Sequence, residues 1–288
     1  MYVHADDGWL YKLSRKSHRL EWKVKLEPQP VVRLPYEDPR AKFDRFSSDV
    51  AVTGGQLYVG TYDGRVLALS PADGHVLWSF ATGDAVLAAP VLAGGRVIAG
   101  SYDKSVYALD AASGALLWKR DTGGRVVSTP AVADGRVIVG NRIYDLLALD
   151  ERTGEPAWTR YQWGTWVESS ASARDGVAYV GSSDGACVSA WDALSGRPLW
   201  LTDVLGWSWG QPAVTEDRVY AGSSASVGYP VPMVGSVVAM DRRTGEVAWR
   251  YVAPAPADGD WGFPGSVAVG TKFVFASSHG GQVVALPR

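Results

Sequence analysis

The sequence predicts an all-β fold, a seven-bladed β-propeller in which each blade is a sheet of four antiparallel strands. Two observations carry this prediction. A segment of two short apolar strands joined by a tight turn recurs seven times, and a tryptophan follows six of the copies. Short apolar runs bounded by glycine turns are typical of strands rather than of helices. A repeat period of about 40 residues with four strands per unit indicates a propeller.

The seven copies share an apolar strand, a turn that often contains Asp-Gly, and a second strand that ends in Ala-Leu-Asp or a close variant. Asp-Gly suits a tight hairpin because it tolerates positive φ. Each unit is therefore expected to contain four strands, A to D, of which the copies supply B and C. The copies occupy residues 2–13, 58–69, 98–110, 138–150, 179–192, 220–241 and 274–286.

One tryptophan follows each of the first six copies, within the predicted strand D. Because it recurs once in each unit, we expect a structural role in which it wedges between adjacent blades. The turn before it usually contains Thr-Gly or Ser-Gly, as in DAASGALLW. The set comprises Trp22, Trp78, Trp118, Trp158, Trp200 and Trp249.

The blades are predicted to form a single domain over residues 1–288, with residues 27–46 as a long connection after the first blade. The first blade lacks strand A and the last lacks strand D, so both are expected to have three strands and to lie side by side where the ring closes. The predicted blades span about residues 1–26, 47–82, 86–122, 126–161, 167–203, 209–252 and 264–288.

Composition narrows the possible functions. The formal net charge of −2 gives no reason to expect nucleic acid or an anionic membrane as a partner. A single cysteine, Cys187, excludes an internal disulfide and a cysteine-built metal site. No apolar run approaches the ~20 residues that span a bilayer.

The first residues, MYVHADDGW, show no basic and apolar leader. If the natural chain starts upstream of Met1, an extracytoplasmic location is expected, periplasmic or secreted. Otherwise the sequence predicts a cytoplasmic protein.

The unit DGRVLALSPADGHVLWSFATG at residues 63–83 resembles the repeat of the quinoprotein-type, tryptophan-docking β-propellers, which carry the PQQ-like repeat. That family includes quinone-dependent alcohol dehydrogenases, BamB-type outer-membrane assembly proteins and sensor domains of bacterial kinases. The resemblance covers nearly the whole chain and implies the fold, because the matching residues are structural. The quinone enzymes of the family carry a vicinal cysteine pair, and this sequence, with a single cysteine, cannot form one. We therefore expect no quinone chemistry and no cofactor.

Loops from strand D to strand A of the next blade share one face of a propeller with the B-to-C turns, and binding residues collect on such loops. Three consecutive D-to-A loops are rich in aromatic residues: WGTWVES (163–169), LGWSWGQ (205–211) and GDWGFPG (259–265). The corresponding loops at 83–89 and 123–129 are plain. The sequence thus predicts an uneven, aromatic rim.

The predicted ligand- or partner-binding residues are the rim's large or polar side chains. Those of the D-to-A loops are Phe46, Trp163, Trp166, Glu168, Trp207, Trp209, Gln211, Asp260, Trp261 and Phe263. The B-to-C turns add Tyr62, Tyr102 and Arg142. The B-to-C turn of blade six, residues 223–235, is expanded, which indicates either a flap over the channel mouth or a plain insertion.

Two interpretations of the rim remain open, since the aromatic rings could close the channel or line a pocket. The favoured function is a non-catalytic scaffold that binds a protein partner or a small aromatic or carbohydrate ligand. The alternative is a lyase, hydrolase or cyclase acting on a sugar or aromatic natural product. Its weak catalytic candidates are Glu168, Asp260 and His279. No metal site is predicted, because the sequence contains no metal-binding motif.

Overall fold

The structure is a computed structural model, and it describes residues 1–28, 48–162 and 164–288. In these ranges all the regular secondary structure is β-strand, and the strands form seven antiparallel sheets. The all-β, seven-bladed prediction is confirmed. The sheets fall into two compact units, the N-terminal unit Met1–Pro130 and the C-terminal unit Ala131–Arg288. The single-domain organisation stays a prediction.

The N-terminal unit holds three sheets, each formed by strands that follow one another in the chain. The first sheet is β1 (Tyr2–His4), β2 (Trp9–Leu13) and β3 (Leu20–Lys25). The second is β4 (Ala51–Thr53), β5 (Gln56–Gly60), β6 (Arg65–Leu69) and β7 (Val76–Ala81). The third is β8 (Val91–Ala93), β9 (Arg96–Gly100), β10 (Ser105–Asp110) and β11 (Leu116–Asp121).

The C-terminal unit holds four sheets with the same connectivity. The fourth sheet is β12 (Ala131–Ala133), β13 (Arg136–Gly140), β14 (Asp145–Asp150) and β15 (Pro156–Tyr161). The fifth is β16 (Ser172–Arg174), β17 (Val177–Gly181), β18 (Cys187–Asp192) and β19 (Pro198–Asp203). The sixth is β20 (Ala213–Val214), β21 (Arg218–Ser226), β22 (Ser236–Asp241) and β23 (Val247–Val252), with β24 (Asp260–Gly262) also paired to β21. The seventh is β25 (Ala268–Val269), β26 (Phe273–Ser277) and β27 (Val283–Pro287).

Two features of the sheets bear on the prediction. The first and seventh sheets have three strands each, as the missing A and D segments indicated. The sixth has a fifth strand that was not predicted. Residues 223–226, interpreted as the start of a flap, continue β21, where Ala225 pairs with Trp261 of β24. The flap prediction was therefore wrong for these four residues, because β24 offers their backbone a partner strand.

The strand-D tryptophans link adjacent sheets within each unit. In the N-terminal unit the Trp78 indole N–H donates to the Ala111 carbonyl, 2.9 Å away in the third sheet. In the C-terminal unit Trp158 donates in the same way to Ala193 of the fifth sheet, at 3.0 Å. These contacts confirm the wedge interpretation, since a buried indole N–H needs an acceptor.

In the second to sixth sheets, strands B and C are buried on both faces, which explains their continuous apolar runs. In β13, for example, Val137, Ile138 and Val139 are all fully buried. Ile138 belongs to a cluster that also holds Trp158 and Ala178 of the next sheet. Within each unit, the packed sheets fix where each connecting loop begins and ends.

Candidate functional site

A glycine at the end of strand B lets the following D-to-A loop lie directly on the sheet. A Cβ added at Gly181 would lie 2.3 Å from the Ser208 carbonyl oxygen, and one at Gly140 would lie 2.2 Å from that of Val167. Each loop has one buried residue at this contact, which we name the anchor residue. The anchor residues are Val86 and Val126 in the N-terminal unit, and Val167, Ser208 and Phe263 in the C-terminal unit.

The anchor explains how the two tryptophans of residues 206–210 come to lie side by side. Ser208 is fully buried, and its N–H donates to the Ser182 carbonyl at 2.9 Å. Trp207 forms an antiparallel bridge with Ser224 on the other side. In extended backbone the residues on either side of an inward side chain point outward together. Trp207 and Trp209 therefore emerge on the same side, where their rings stack at 5.1 Å and 13°.

Polar groups and a third ring complete this aromatic cluster. The Trp207 indole N–H donates to Asp184 Oδ1 at 3.3 Å, and the Tyr229 hydroxyl donates to the same oxygen at 3.4 Å. Tyr229 packs edge-on against Trp207, with ring centroids 5.0 Å apart. The Trp209 N–H donates to Ser183 Oγ at 3.3 Å. We call Asp184, Trp207, Trp209 and Tyr229 the tryptophan platform.

Asp184 was not among the predicted site residues. It belongs to the SSDG sequence of a B-to-C turn, and Asp-Gly is common in tight hairpin turns for conformational reasons alone. Its charge acts on the platform, because the nearby carboxylate raises the pKa of Tyr229. One signal was available in the sequence: this B-to-C turn is on the same predicted face as the loop that carries Trp207 and Trp209.

A second cluster forms around Val167, the anchor of the preceding loop. The Arg142 Nε lies 2.6 Å from Glu168 Oε1, and both side chains are largely buried. The Arg142 guanidinium also lies over the Trp166 ring, 5.4 Å from its centroid. The Trp166 carbonyl accepts the Ser183 N–H at 3.3 Å, which joins this cluster to the turn beneath the platform. The structure thus groups three predicted site residues.

The third aromatic loop is more deeply built into the sheet. Phe263 is an anchor residue, 1% exposed, and its ring packs 6.0 Å from that of Tyr251. Trp261 is partly buried within β24, two residues before it. Gln211 ties its own loop down, since its side-chain amide donates to the Ala171 carbonyl at 2.8 Å. Phe263 offers no surface to a ligand.

The predicted N-terminal-unit residues pack into a small apolar cluster. Tyr102 is 2% exposed, with the Arg125 guanidinium 5.0 Å from its ring centroid. Tyr62 and Val127 pack against the same cluster, whose other members are Ala85 and Leu87. These rings fill space between loops. Phe46 and Trp163, the remaining predicted residues, lie outside the residues that the structure describes.

Of the three catalytic candidates, Glu168 lies in the Arg142 cluster, whereas His279 and Asp260 both lie along the β21–β24 ladder. Glu168 pairs with Arg142, as above. The His279 imidazole Nε2 lies 3.1 Å from Ser224 Oγ, and its backbone N–H donates to the Gly262 carbonyl. Asp260 lies in β24, opposite Ser226. Among residues 1–28, 48–162 and 164–288, no group of three or more His, Cys, Asp or Glu side chains is placed to hold a metal ion.

Glu27 is a buried acid beside the predicted residue Tyr62. It is 2% exposed, and its Oε1 accepts the Tyr62 backbone N–H at 2.7 Å. Burial raises the pKa of Glu27, and the charge of Asp63 adds to the effect, while the Tyr62 hydrogen bond, His4 and Arg65 oppose it. The folded state therefore favours the protonated acid relative to the unfolded state.

We expect Glu27→Gln to become progressively more favourable, relative to the wild type, as pH rises. A raised carboxyl pKa contributes stability below the ordinary value of about 4.3, and this contribution is lost as pH rises through the folded-state pKa. Glutamine keeps an oxygen for the Tyr62 N–H but cannot ionise. Urea denaturation of both proteins between pH 4 and 7 measures the difference. A difference that stays constant, or one that reverses sign, would contradict the stated direction.

Comparisons with known proteins agree with this architecture. A family model described as outer membrane protein assembly factor BamB matches residues 6–119, 100–186 and 162–288. The three matches overlap along the chain, as expected for a repeated unit. No curated protein matches the sequence.

Solved structures show the same fold at low identity. BamB from Moraxella catarrhalis is 19% identical, with a TM-score of 0.69 over 100% of this chain and 93% of that one. The computationally designed Ika8 protein is 14% identical, with a TM-score of 0.69 over 100% of this chain and 92% of that one. Quinohemoprotein alcohol dehydrogenase from Comamonas testosteroni is 18% identical, with a TM-score of 0.61 over 84% of this chain and 46% of that one.

Within the described ranges, no helix is long and apolar enough to cross a membrane. The family model matches well over half of the sequence. The chain therefore belongs to the β-propeller family described as outer membrane protein assembly factor BamB.

Proposed function

We propose that this propeller is a non-catalytic scaffold in outer-membrane protein assembly, and that it binds a protein partner through the tryptophan platform. The observation that carries the proposal is the Trp207–Trp209 stack with Tyr229 at its edge. Tryptophan and tyrosine are favoured anchors at protein interfaces because each buries a large area with little loss of side-chain freedom.

The platform is prepared for binding in the free protein. Its indole N–H groups are held by Asp184 and Ser183, and Ser208 fixes the backbone beneath the rings. A surface ordered beforehand loses less entropy on association. Tyr229 of the platform is 39% exposed, and Val231, two residues further along the chain, is 60% exposed. A protein surface with one apolar segment and a hydrogen-bond donor for Asp184 would fit this arrangement.

The enzyme alternative has less support from the geometry. General acid–base catalysis needs an acid and a base that converge on one reacting group. Glu168 lies against the Arg142 guanidinium, whereas His279 lies against the Ser224 hydroxyl. A stacked ligand ring, such as a sugar or an aromatic acid, remains the second candidate for the platform itself.

A photo-crosslinking residue placed at Tyr229 tests the proposal. In cells that produce the protein, we expect a discrete protein adduct that disappears when Trp207 and Trp209 are both replaced by Ala. The same photo-crosslinker at Leu194, 57% exposed in the turn between β18 and β19, serves as the matched control and should give no such adduct. Equal adducts at both positions, or adducts insensitive to the tryptophans, would overturn it.

Fluorescence titration of the purified protein with cello-oligosaccharides and aromatic acids tests whether the platform binds a small ligand instead. Saturable quenching that requires Trp209, without any protein adduct at Tyr229, would assign the platform to a small ligand and would refute the scaffold proposal.

A further inference from the structure

Asp184 of the tryptophan platform occupies a position that recurs in the B-to-C turns. It is the third residue after the glycine that ends strand B of the fifth sheet. Asp63 and Asp103 hold the same position in the second and third sheets. An acidic side chain at this point is a repeated feature of the fold, so the surroundings of the three carboxylates can be compared directly.

In the second and third sheets the chain itself supplies a cation for this carboxylate. The Arg65 guanidinium lies 2.8 Å from Asp63 Oδ2, and the Arg65 Nε–H donates to Asp63 Oδ1 at 3.0 Å. The Lys119 ammonium lies 3.6 Å from Asp103 Oδ2. Both cations belong to strands of the same sheet as the carboxylate, so these two turns carry little uncompensated charge.

Asp184 has no cation of this kind. By sequence and register, Ala186 and Leu201 stand where Arg65 and Lys119 stand in the other two sheets. Its Oδ1 accepts hydrogen bonds only from the neutral groups of the platform. Within the part of the chain that the structure describes, no basic side chain and no hydrogen-bond donor reaches its Oδ2. The residue is exposed, so a donor from another molecule can approach this oxygen.

The segments next to Asp184 add negative charge. Residues 203–212, 224–235 and 253–266 are joined by main-chain hydrogen bonds and contain no Lys, Arg or His. Arg250 of β23 contacts the first of them, but its guanidinium donates to main-chain carbonyls there. The acidic residues of these segments are Asp203, Asp258 and Asp260. A cationic partner is attracted to such a surface and an anionic one is repelled.

An exposed apolar segment accompanies this charge. Residues 227–232, VGYPVP, are all exposed and none is ionic at neutral pH. Tyr229 lies within the segment and joins it to Asp184 through its hydroxyl group. Arginine suits a carboxylate next to aromatic rings, because its planar guanidinium both donates N–H groups and packs on ring faces. Its aliphatic stem can cover apolar surface as well.

We propose, resting on the scaffold function above, that the protein partner presents an arginine flanked by apolar residues to the tryptophan platform. The guanidinium donates to Asp184 Oδ2 beside the Trp207 and Tyr229 rings, and the flanking residues pack on residues 227–232. The partner thereby supplies from outside the cation that Arg65 supplies within the second sheet.

Fluorescence anisotropy of the peptide SLRLS, amidated and capped with an uncharged fluorophore, measures this recognition by the purified full chain. We expect saturable binding, and about tenfold weaker binding when citrulline replaces the arginine, because charge-assisted hydrogen bonds are roughly twice as strong as neutral ones. Citrulline has nearly the shape of arginine without its charge. The peptide SLELS should not bind, since its carboxylate would face Asp184.

Asp184→Asn separates charge from shape in the protein. Asparagine keeps an oxygen for the Trp207 and Tyr229 donors but carries no charge. This variant should bind the arginine peptide about tenfold more weakly and the citrulline peptide much as the wild type does. Asp63→Asn is the matched control, because it removes the same charge from the same turn position in the second sheet, and should leave both affinities unchanged.

Three results would overturn the arginine inference: no saturable binding of the arginine peptide, equal affinity of the wild type for the arginine and citrulline peptides, or equal weakening of both by Asp184→Asn. The last would indicate a purely structural role for Asp184. The crosslinked adduct at Tyr229 separates this inference from the scaffold proposal. An adduct whose yield is unchanged in Asp184→Asn contradicts the arginine contact alone, whereas absence of any adduct from the wild-type chain refutes the scaffold proposal.

Discussion

We expect Trp158→Ala to lower the free energy of unfolding by about 3–5 kcal/mol, the usual range for truncating a buried tryptophan. Trp158 is 8% exposed and lies in the cluster that joins the fourth and fifth sheets. The substitution removes its hydrogen bond to Ala193 and opens a cavity against Gly196, which has no side chain to fill it. Urea denaturation followed by far-ultraviolet circular dichroism measures the loss.

Thr159→Ala is the matched control for this substitution. Thr159 is the next residue of β15 and is exposed, so its truncation should change stability by less than about 0.5 kcal/mol. Trp158→Phe should fall between the two, because it keeps most of the apolar contact but loses the N–H donor. A loss for Trp158→Ala no larger than that of the control would show that the docked tryptophan does not hold the two sheets together.

The second large effect is expected from Gly181→Ala, which links stability to the tryptophan platform. The added Cβ would overlap the Ser208 carbonyl oxygen at 2.3 Å, so the loop must move away from the sheet. Overpacking of this kind costs about 1–3 kcal/mol. Because Ser208 lies between Trp207 and Trp209, the same movement should disrupt their stack. We expect a lower unfolding midpoint, greater acrylamide quenching of tryptophan fluorescence and loss of the Tyr229 adduct.

Gly280→Ala provides the comparison, since its Cβ would lie at an ordinary 3.7 Å from Ser278 Oγ. It should leave stability, quenching and crosslinking close to the wild type. A crystal structure of Gly181→Ala with residues 206–210 unmoved would contradict the expected mechanism, even if stability fell.

The repeat made most of the fold predictable. Its apolar strands, glycine turns and strand-D tryptophans each recur, so their roles could be compared along the chain. Strand β24 could not be found in this way, because Asp260–Gly262 has no counterpart in the other units and is a strand only through its pairing with β21. Such pairing depends on contacts between distant segments, which local patterns do not encode.

The candidate site was predictable at the level of loops but not of side chains. The sequence identified the loop of Trp207 and Trp209, yet their hydrogen bonds to Asp184 and Ser183 join different blades. Phe263 shows the same limit: its loop is aromatic, but its place over Gly222 makes it an anchor residue in the interior. Whether an aromatic side chain points inward depends on how many residues separate it from the anchor residue. The size of the side chain does not indicate this separation.

The alternation around the anchor residue also limits how the platform loop can vary in length. Surface loops usually accept insertions at little cost. An added residue between Ser208 and Trp209 would instead turn one ring towards the sheet and the other away from it, while Ser208 kept its bond to Ser182. Relatives of this chain that carry the double tryptophan should therefore conserve the spacing of these three residues more strictly than the identity of their neighbours.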